Sequence, residues 1–186
     1  SDNGKPHLRI ENRVLPSGPT VIDEVANAAL WLGCMMGMAD EIEDIREHIS
    51  FADVSDNFLK AAKFGIDSSF TWFNDEKMSV CDLILEKLLP LARKGLMKHK
   101  VNVGDINRYL GVIEARAKAH TNGARWQLRA YTNLRKKLSR DEALSLLTAS
   151  ILKNQEQEIP VHEWKMPAEL DLSDYRPGKM KAEAFM

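Results

Sequence analysis

A glutamate and an arginine two positions apart, Glu11 and Arg13, are the residues of this 186-residue chain whose types and spacing could do chemistry together. Apolar and charged residues alternate around them from Leu8 to Leu15, which predicts a strand with one buried and one polar face. The two side chains would then lie together on the polar face. A carboxylate can hold a hard cation and a guanidinium can hold phosphate or carboxylate, so the pair could bind an anionic ligand and its metal. The same pattern also fits an exposed strand face with a cross-strand ion pair.

This predicted strand, 8–15, has no partner strand in the rest of the sequence. A strand without a sheet leaves its backbone donors and acceptors unpaired. Almost every later pattern predicts helix instead. The mismatch suggests that the chain is the tail of a larger protein.

Helix-start signatures and apolar residues spaced three and four apart predict about six helices. Short loops between them favour a mainly α antiparallel bundle with one N-terminal strand, and the first helix is expected at its centre. The predicted helices are 21–46, 51–63, one from Ser79 that Pro90 kinks or splits, 103–119, one capped by Thr121 and ending near 137, and one opened by the capping box at Ser139 and ending near 156.

The apolar residues of the first two helices are expected to face the core. The segment 66–77 is predicted to be a loop or short extended piece whose aromatic residues plug the bundle. The inward residues would be Val21, Val25, Ala28, Leu32, Met35, Ala39, Ile42, Val54, Phe58, Ala61 and Ala62. The aromatic residues would be Phe70, Trp72 and Phe73. Gly33 and Gly37, beside three methionines, indicate a close-packed face.

Composition divides the chain into a strand and turn segment (1–19), a helical domain (20–159) and an extended tail (160–186), which is expected to dock through Trp164 and Tyr175. The net charge of −1 gives no general attraction to nucleic acid or membrane. No stretch is predicted to span a bilayer. Cys34 and Cys81 are expected to be buried, reduced thiols of a cytoplasmic protein, with a disulfide as the less favoured alternative.

Familiar catalytic motifs are absent from the sequence. It contains no glycine-rich phosphate loop, no HExxH zinc motif and no GxSxG nucleophile motif. Its five histidines are too scattered to predict a zinc site from local spacing. Local chemistry alone therefore predicts only a helical domain with one orphan strand.

Taken whole, however, the chain resembles the C-terminal portion of the glutamate–cysteine ligase type 2, or carboxylate–amine ligase, family. The resemblance runs from Pro6 to about Trp164 and rests on the order and spacing of several stretches rather than on any single one. These stretches are Leu8–Arg13, the segment 50–67 with Ser50-Phe51-Ala52-Asp53 and Ala61-Ala62-Lys63-Phe64-Gly65-Ile66-Asp67, Gly123-Ala124-Arg125-Trp126-Gln127, and Pro160-Val161-His162-Glu163-Trp164.

The resemblance implies an ATP-dependent enzyme that activates a carboxylate as an acyl phosphate and lets an amine displace the phosphate. It implies that the chain is the helical part of a larger α+β ligase, whose curved sheet holds ATP and Mg²⁺. By this resemblance Glu11 would be a magnesium ligand and Arg13 a catalytic contact for phosphate or carboxylate. Lys63 stands where the family often has Arg or His, and Asn12 where an apolar strand residue is usual.

The partners implied are small-molecule carboxylate and amine substrates and the upstream sheet of the same protein, with no nucleic acid and no membrane; a homodimer is also allowed. The isolated chain is expected to be inactive, because one carboxylate cannot fix magnesium between phosphates. The alternative is a non-catalytic helical domain for packing or interaction.

Overall fold

The computed structural model describes residues 18–173 together with Gly4, Pro6, Glu11 and Arg13. Within this part of the chain the fold is mainly helical, as predicted, with one short two-stranded sheet. The principal helices are α1 (Val21–Glu41), α2 (Phe51–Phe64), α3 (Val80–Asp82, Leu83–Leu88 and Leu89–Lys98 in succession), α4 (Val103–Lys118), α5 (Gly123–Arg135) and α6 (Arg140–Gln155). The strands are β1 (Ser69–Thr71) and β2 (Lys77–Ser79).

The main core lies where α1, α3 and α4 meet. Glycines let α1 and α3 approach closely, because a Cβ atom at Gly33 would lie 2.7 Å from the Ala92 carbonyl oxygen and one at Gly37 2.6 Å from that of Leu91. The expected close-packed glycine face is therefore confirmed. Around this seam the core buries Ala26, Leu89, Ala92, Leu96, Ile106, Leu110, Val112 and Ile113.

The predicted inward face of α1 is wrong. Val21 is 75% exposed, and Val25, Leu32 and Met35 are also exposed, whereas the buried positions include Ala26 and the two glycines. Apolar residues occur on nearly every side of this helix, so periodicity alone could not identify the packed side. The packed side is the one with small residues, because it allows the closest approach of a second helix.

The first helix also differs from its predicted length and character. It ends at Glu41 rather than near 46, and a separate 3₁₀ turn, Ile45–Glu47, follows. By length and composition alone, Val21–Glu41 could cross a membrane, contrary to the expectation from sequence. The close packing of this helix on α3 gives a second reason for its many small apolar residues.

Pro90 does not split α3, because the backbone stays helical from Val80 to Lys98. The six residues before Leu89 form a π-helical turn, in which the Leu89 amide donates to the carbonyl of Ile84, five residues earlier. Proline lacks an amide hydrogen and crowds the preceding turn, so a wider turn beside it keeps the helix continuous.

The second helix, α2, packs on the β-hairpin formed by β1 and β2. The Asn57 side chain accepts from the Thr71 amide at 3.0 Å and donates to the Thr71 carbonyl at 2.7 Å. The segment predicted as a loop or extended piece is thus an antiparallel hairpin. Its aromatic residues are half-buried and lie outside the two core clusters, so they do not plug the bundle as expected.

The inward residues predicted for α2 are also wrong, because Val54 and Phe58 are exposed. None of the 14 residues of this helix is buried, although its length closely matches the prediction. Hydrophobic periodicity identified an apolar face correctly, but that face has no partner among the described residues.

A second core joins α5 and α6 to the C-terminal segment. The rings of Trp126 and Trp164 meet edge to face at 5.0 Å, and Val161 is buried beside them. Trp164 therefore docks as expected, while Tyr175 lies outside the described residues. The capping box at Ser139 is confirmed, but α5 is capped by Asn122 rather than by Thr121.

A buried carboxylate ties these two cores together. Asp23, in the first turn of α1, accepts from the Thr20 hydroxyl at 2.8 Å and from the Val161 amide at 2.9 Å. Its other oxygen faces Arg116 of α4 at 3.6 Å. One side chain thus connects the start of α1, the middle helix α4 and the docked C-terminal segment.

Candidate functional site

The predicted Glu11 and Arg13 side chains do lie together. The Arg13 guanidinium donates two hydrogen bonds to the Glu11 carboxylate, from Nε to Oε1 at 2.8 Å and from Nη2 to Oε2 at 3.1 Å. The Arg13 side chain is 80% exposed and that of Glu11 62%. Most of the predicted strand 8–15 lies outside the described residues, so its pairing stays a prediction.

The described residues do not by themselves form a magnesium site. Nowhere in the described part of the chain do three or more His, Cys, Asp or Glu side chains come together as a metal-binding group. Both oxygens of Glu11 are paired with Arg13. Magnesium requires several oxygen ligands in octahedral geometry, so the other ligands of the predicted site would have to come from elsewhere.

A groove of about 590 Å³ runs between the end of α2 and α5. Among the described residues that line it, Lys63, Arg125 and Arg129 contribute positive charge and Asp67 contributes the one carboxylate. The amino-terminal end of α5 borders it, with amide groups that favour negative charge. The groove is lined by Ala62, Lys63, Phe64, Gly65, Ile66, Asp67, Asn122, Ala124, Arg125, Leu128, Arg129, Thr132 and Asn133.

Stretches that are far apart in sequence meet at this groove and behind it. Arg125 donates to the Asp67 carboxylate at 2.9 Å, which joins the start of α5 to the 3₁₀ turn that follows α2. Behind the groove Trp126 packs against Trp164. Three of the stretches that carry the family resemblance, 50–67, 123–127 and 160–164, are therefore in contact. The fourth, around Glu11 and Arg13, has only its own ion pair among the described residues.

Sequence reasoning missed a group of titratable side chains next to the groove. His120 stands between Cys81 and Asp67, with ring nitrogens 3.2 Å from the Cys81 sulfur and 2.9 Å from an Asp67 carboxylate oxygen. Cys81 was predicted only as a buried thiol and His120 as one of five scattered histidines. His120 is 39 positions from Cys81 and 53 positions from Asp67, so no local spacing could have revealed these contacts.

The surroundings of Asp67 and of the two cysteines shift the pKa values of these groups. The hydrogen bond from His120, and then the one from Arg125, hold the pKa of Asp67 below its ordinary value of 3.8. Burial, followed by the charges of Asp82 and Asp67, raises the pKa of Cys81. Cys34 has no such neighbours, and burial raises its pKa to about 11. Both cysteines are free thiols, as predicted.

No protein-family model, curated protein or solved structure matches this chain.

Proposed function

We propose that this chain is the helical part of an ATP-dependent carboxylate–amine ligase and that it contributes Glu11 and Arg13 to the active site. The catalytic sheet, with the remaining ligands for ATP and magnesium, would belong to the same protein upstream of Ser1. The protein would act in the cytoplasm on a small carboxylate and a small amine, and the isolated chain would be inactive.

The observation that carries this proposal is the meeting of the separated stretches of the resemblance. Asp67 and Arg125 are joined by an ion pair at 2.9 Å, although they are 58 positions apart. The groove at their junction holds three cations against one carboxylate. ATP, an acyl phosphate and a free carboxylate are all anions, so the charge of the groove suits the proposed ligands.

The exposed apolar side chains of α2, which have no partner among the described residues, support a further domain of the same protein as the occupant of this surface. On α2, Phe51 is 86% exposed, Leu59 66% and Phe58 57%. Exposed apolar surface of this kind usually marks an interface. A sheet with helices packed on it must bury one apolar face, and an amphipathic helix such as α2 supplies a matching surface.

A non-catalytic packing domain remains the second candidate. It is favoured by the same apolar faces and by the lack of a metal-binding group among the described residues. The two candidates differ in one measurable property: only the ligase requires Glu11 and Arg13 for turnover of ATP.

The test is release of ADP by the complete protein with Mg²⁺, ATP and a panel of amino acids as carboxylate and amine. Arg13→Ala should lower the rate roughly 100-fold or more if the guanidinium steadies developing phosphate charge. Glu11→Gln should shift the magnesium dependence to higher concentration. The matched control is Arg46→Ala, since Arg46 and Asp44 form an exposed ion pair with the same i, i+2 spacing.

Turnover near wild type in both variants would reject the site assignment. Absence of turnover with every carboxylate and amine tested would favour the packing domain instead.

The apolar face can be tested separately. Phe58→Glu should leave the stability of the isolated chain nearly unchanged, because the side chain is exposed there. In the complete protein the same change should lower stability and turnover, since it would place a charge in a domain interface. Leu152→Glu on α6 is a control with comparable exposure. Equal effects of the two changes in the complete protein would contradict burial of α2.

A further inference from the structure

The start of α3, the turn after α2 and the loop between α4 and α5 bring Cys81, His120 and Asp67 into line. The sulfur of Cys81 is 3.2 Å from Nδ1 of His120, and Nε2 of the same ring is 2.9 Å from Oδ1 of Asp67. A nucleophile within hydrogen-bond reach of a base, with the base oriented by a third group, is the arrangement that activates thiols. This arrangement is independent of the proposed ligase activity.

The order of the three groups fixes where the protons lie. The ionised Asp67 carboxylate can only accept a hydrogen bond, so Nε2 of His120 must carry the proton that it donates. In neutral imidazole Nδ1 is then the acceptor, and it faces the Cys81 thiol. The thiol therefore donates to Nδ1 of His120. This Nε2-protonated tautomer is the one that a general base requires, because Nδ1 can take the thiol proton.

Two further contacts hold this alignment. Arg125 donates to the same Asp67 oxygen at 2.9 Å and to the His120 carbonyl at 3.4 Å. The backbone of His120 is in the left-handed region, with φ of 49°, where histidine is tolerated better than bulky residues. The position of the imidazole is thus fixed by the contact of Nε2 with Asp67 and by the conformation and hydrogen bond of the His120 backbone.

The second cysteine provides a comparison within the same molecule. Cys34 on α1 donates to the Leu88 carbonyl at 3.5 Å and has no imidazole partner among the described residues. It is more exposed than Cys81, which keeps 8% of its surface. Exposure favours Cys34, whereas the raised pKa of Cys34 and the imidazole beside Cys81 both favour reaction at Cys81.

We propose that Cys81 is a nucleophilic thiol that a small peroxide oxidises, with His120 as its general base and Asp67 as a positioning residue. The thiol proton moves to Nδ1 of His120 as the sulfur attacks one oxygen of hydrogen peroxide. The O–O bond breaks, and the departing oxygen takes the proton from the imidazolium to leave as water. The sulfur is oxidised by two electrons to a sulfenic acid, and the peroxide is reduced.

The imidazolium formed during this step is stabilised by the carboxylate that it already contacts. Asp67 therefore assists the proton transfer without taking a proton itself. Because Cys81 keeps only 8% of its surface exposed, a small reagent such as hydrogen peroxide reaches the sulfur more readily than a bulky aromatic disulfide does. Reactivity should thus depend on both the base and the size of the reagent.

The test uses the full chain, treated with hydrogen peroxide in the presence of dimedone, which traps sulfenic acids, and read by peptide mass spectrometry. In the wild type, the Cys81 adduct should form before any adduct at Cys34. His120→Asn suits the left-handed backbone and should slow formation of the Cys81 adduct roughly 100-fold. His99→Asn, at the end of α3, is the matched control and should leave the rate unchanged.

Asp67→Asn tests the positioning role through a separate signal. An asparagine amide can donate to Nε2, which would move the ring proton to Nδ1. The ¹⁵N shifts of His120 should report that change of tautomer, and the Cys81 adduct should form more slowly. Circular dichroism verifies that each variant is folded.

Preferential labelling of Cys34, or a loss below about tenfold in folded His120→Asn, would overturn the proposal. If His120→Asn does not fold, an unchanged rate of Cys81 adduct formation in folded Asp67→Asn would overturn the proposal.

Discussion

Replacing Gly95 by alanine should separate α1 from α3 and destabilise the chain. An alanine Cβ at this position would lie 2.6 Å from the Gly37 nitrogen and 3.1 Å from the Gly37 Cα, and it would also overlap the carbonyl oxygen of Gly33. All three are backbone atoms, so no side-chain rotation can relieve the overlap. Ordinary contacts need 3.4–4 Å, and the two helices would have to move apart by roughly 1 Å.

The magnitude follows from two opposing terms. Alanine is favoured over glycine in a helix interior by about 1 kcal/mol. Overpacking a tight core costs about 1–3 kcal/mol, and the backbone overlap puts Gly95 at the upper end of that range. We therefore expect the free energy of unfolding to fall by about 2 kcal/mol, the difference between those terms.

Gly111 of α4 supplies a matched control, since a Cβ there meets no atom within 4 Å. Gly111→Ala should therefore stabilise the chain by about 1 kcal/mol, the helix preference alone. Urea unfolding followed by circular dichroism at 222 nm measures both variants. A Gly95→Ala chain as stable as the wild type, or both changes shifting stability equally, would refute the close-packed seam.

Three further outcomes follow from the contacts described above. Asp23→Ala should lower stability by about 3 kcal/mol, because it removes the buried acceptor of the Val161 amide, and limited proteolysis should then cleave the C-terminal segment sooner; unchanged stability would contradict that anchor. Ser139→Ala should cost about 1 kcal/mol in thermal or urea unfolding through loss of the α6 cap, and no loss would mean that the capping box is dispensable. The Asp67 carboxyl should titrate below 3.8 by ¹³C NMR. A lowered folded-state pKa gives stability that is present above the unfolded pKa and lost as pH falls through the folded one. His120→Asn should move the Asp67 midpoint back toward 3.8, and an unmoved midpoint would contradict the hydrogen bond.

The helical class and most helix boundaries could be predicted from the order of the amino acids. Local signals are short-range: the side chains of Ser50, Ser79 and Ser139 each accept from a backbone amide three residues later, as their patterns predict. The Glu11–Arg13 contact is equally local, because the two residues are only two positions apart. Such features depend on a few adjacent residues and were accessible without the fold.

Which helix faces are buried and which distant side chains meet depends on the packing of the whole fold. On α1 apolar residues surround the helix, so the packed side is set by its small residues and their fit to Gly95 and Ala92 of another helix. On α2 the apolar face was recognised, but its exposure depends on what else is present. His120 reaches Cys81 and Asp67 because three separate chain segments converge, which residue order alone does not encode.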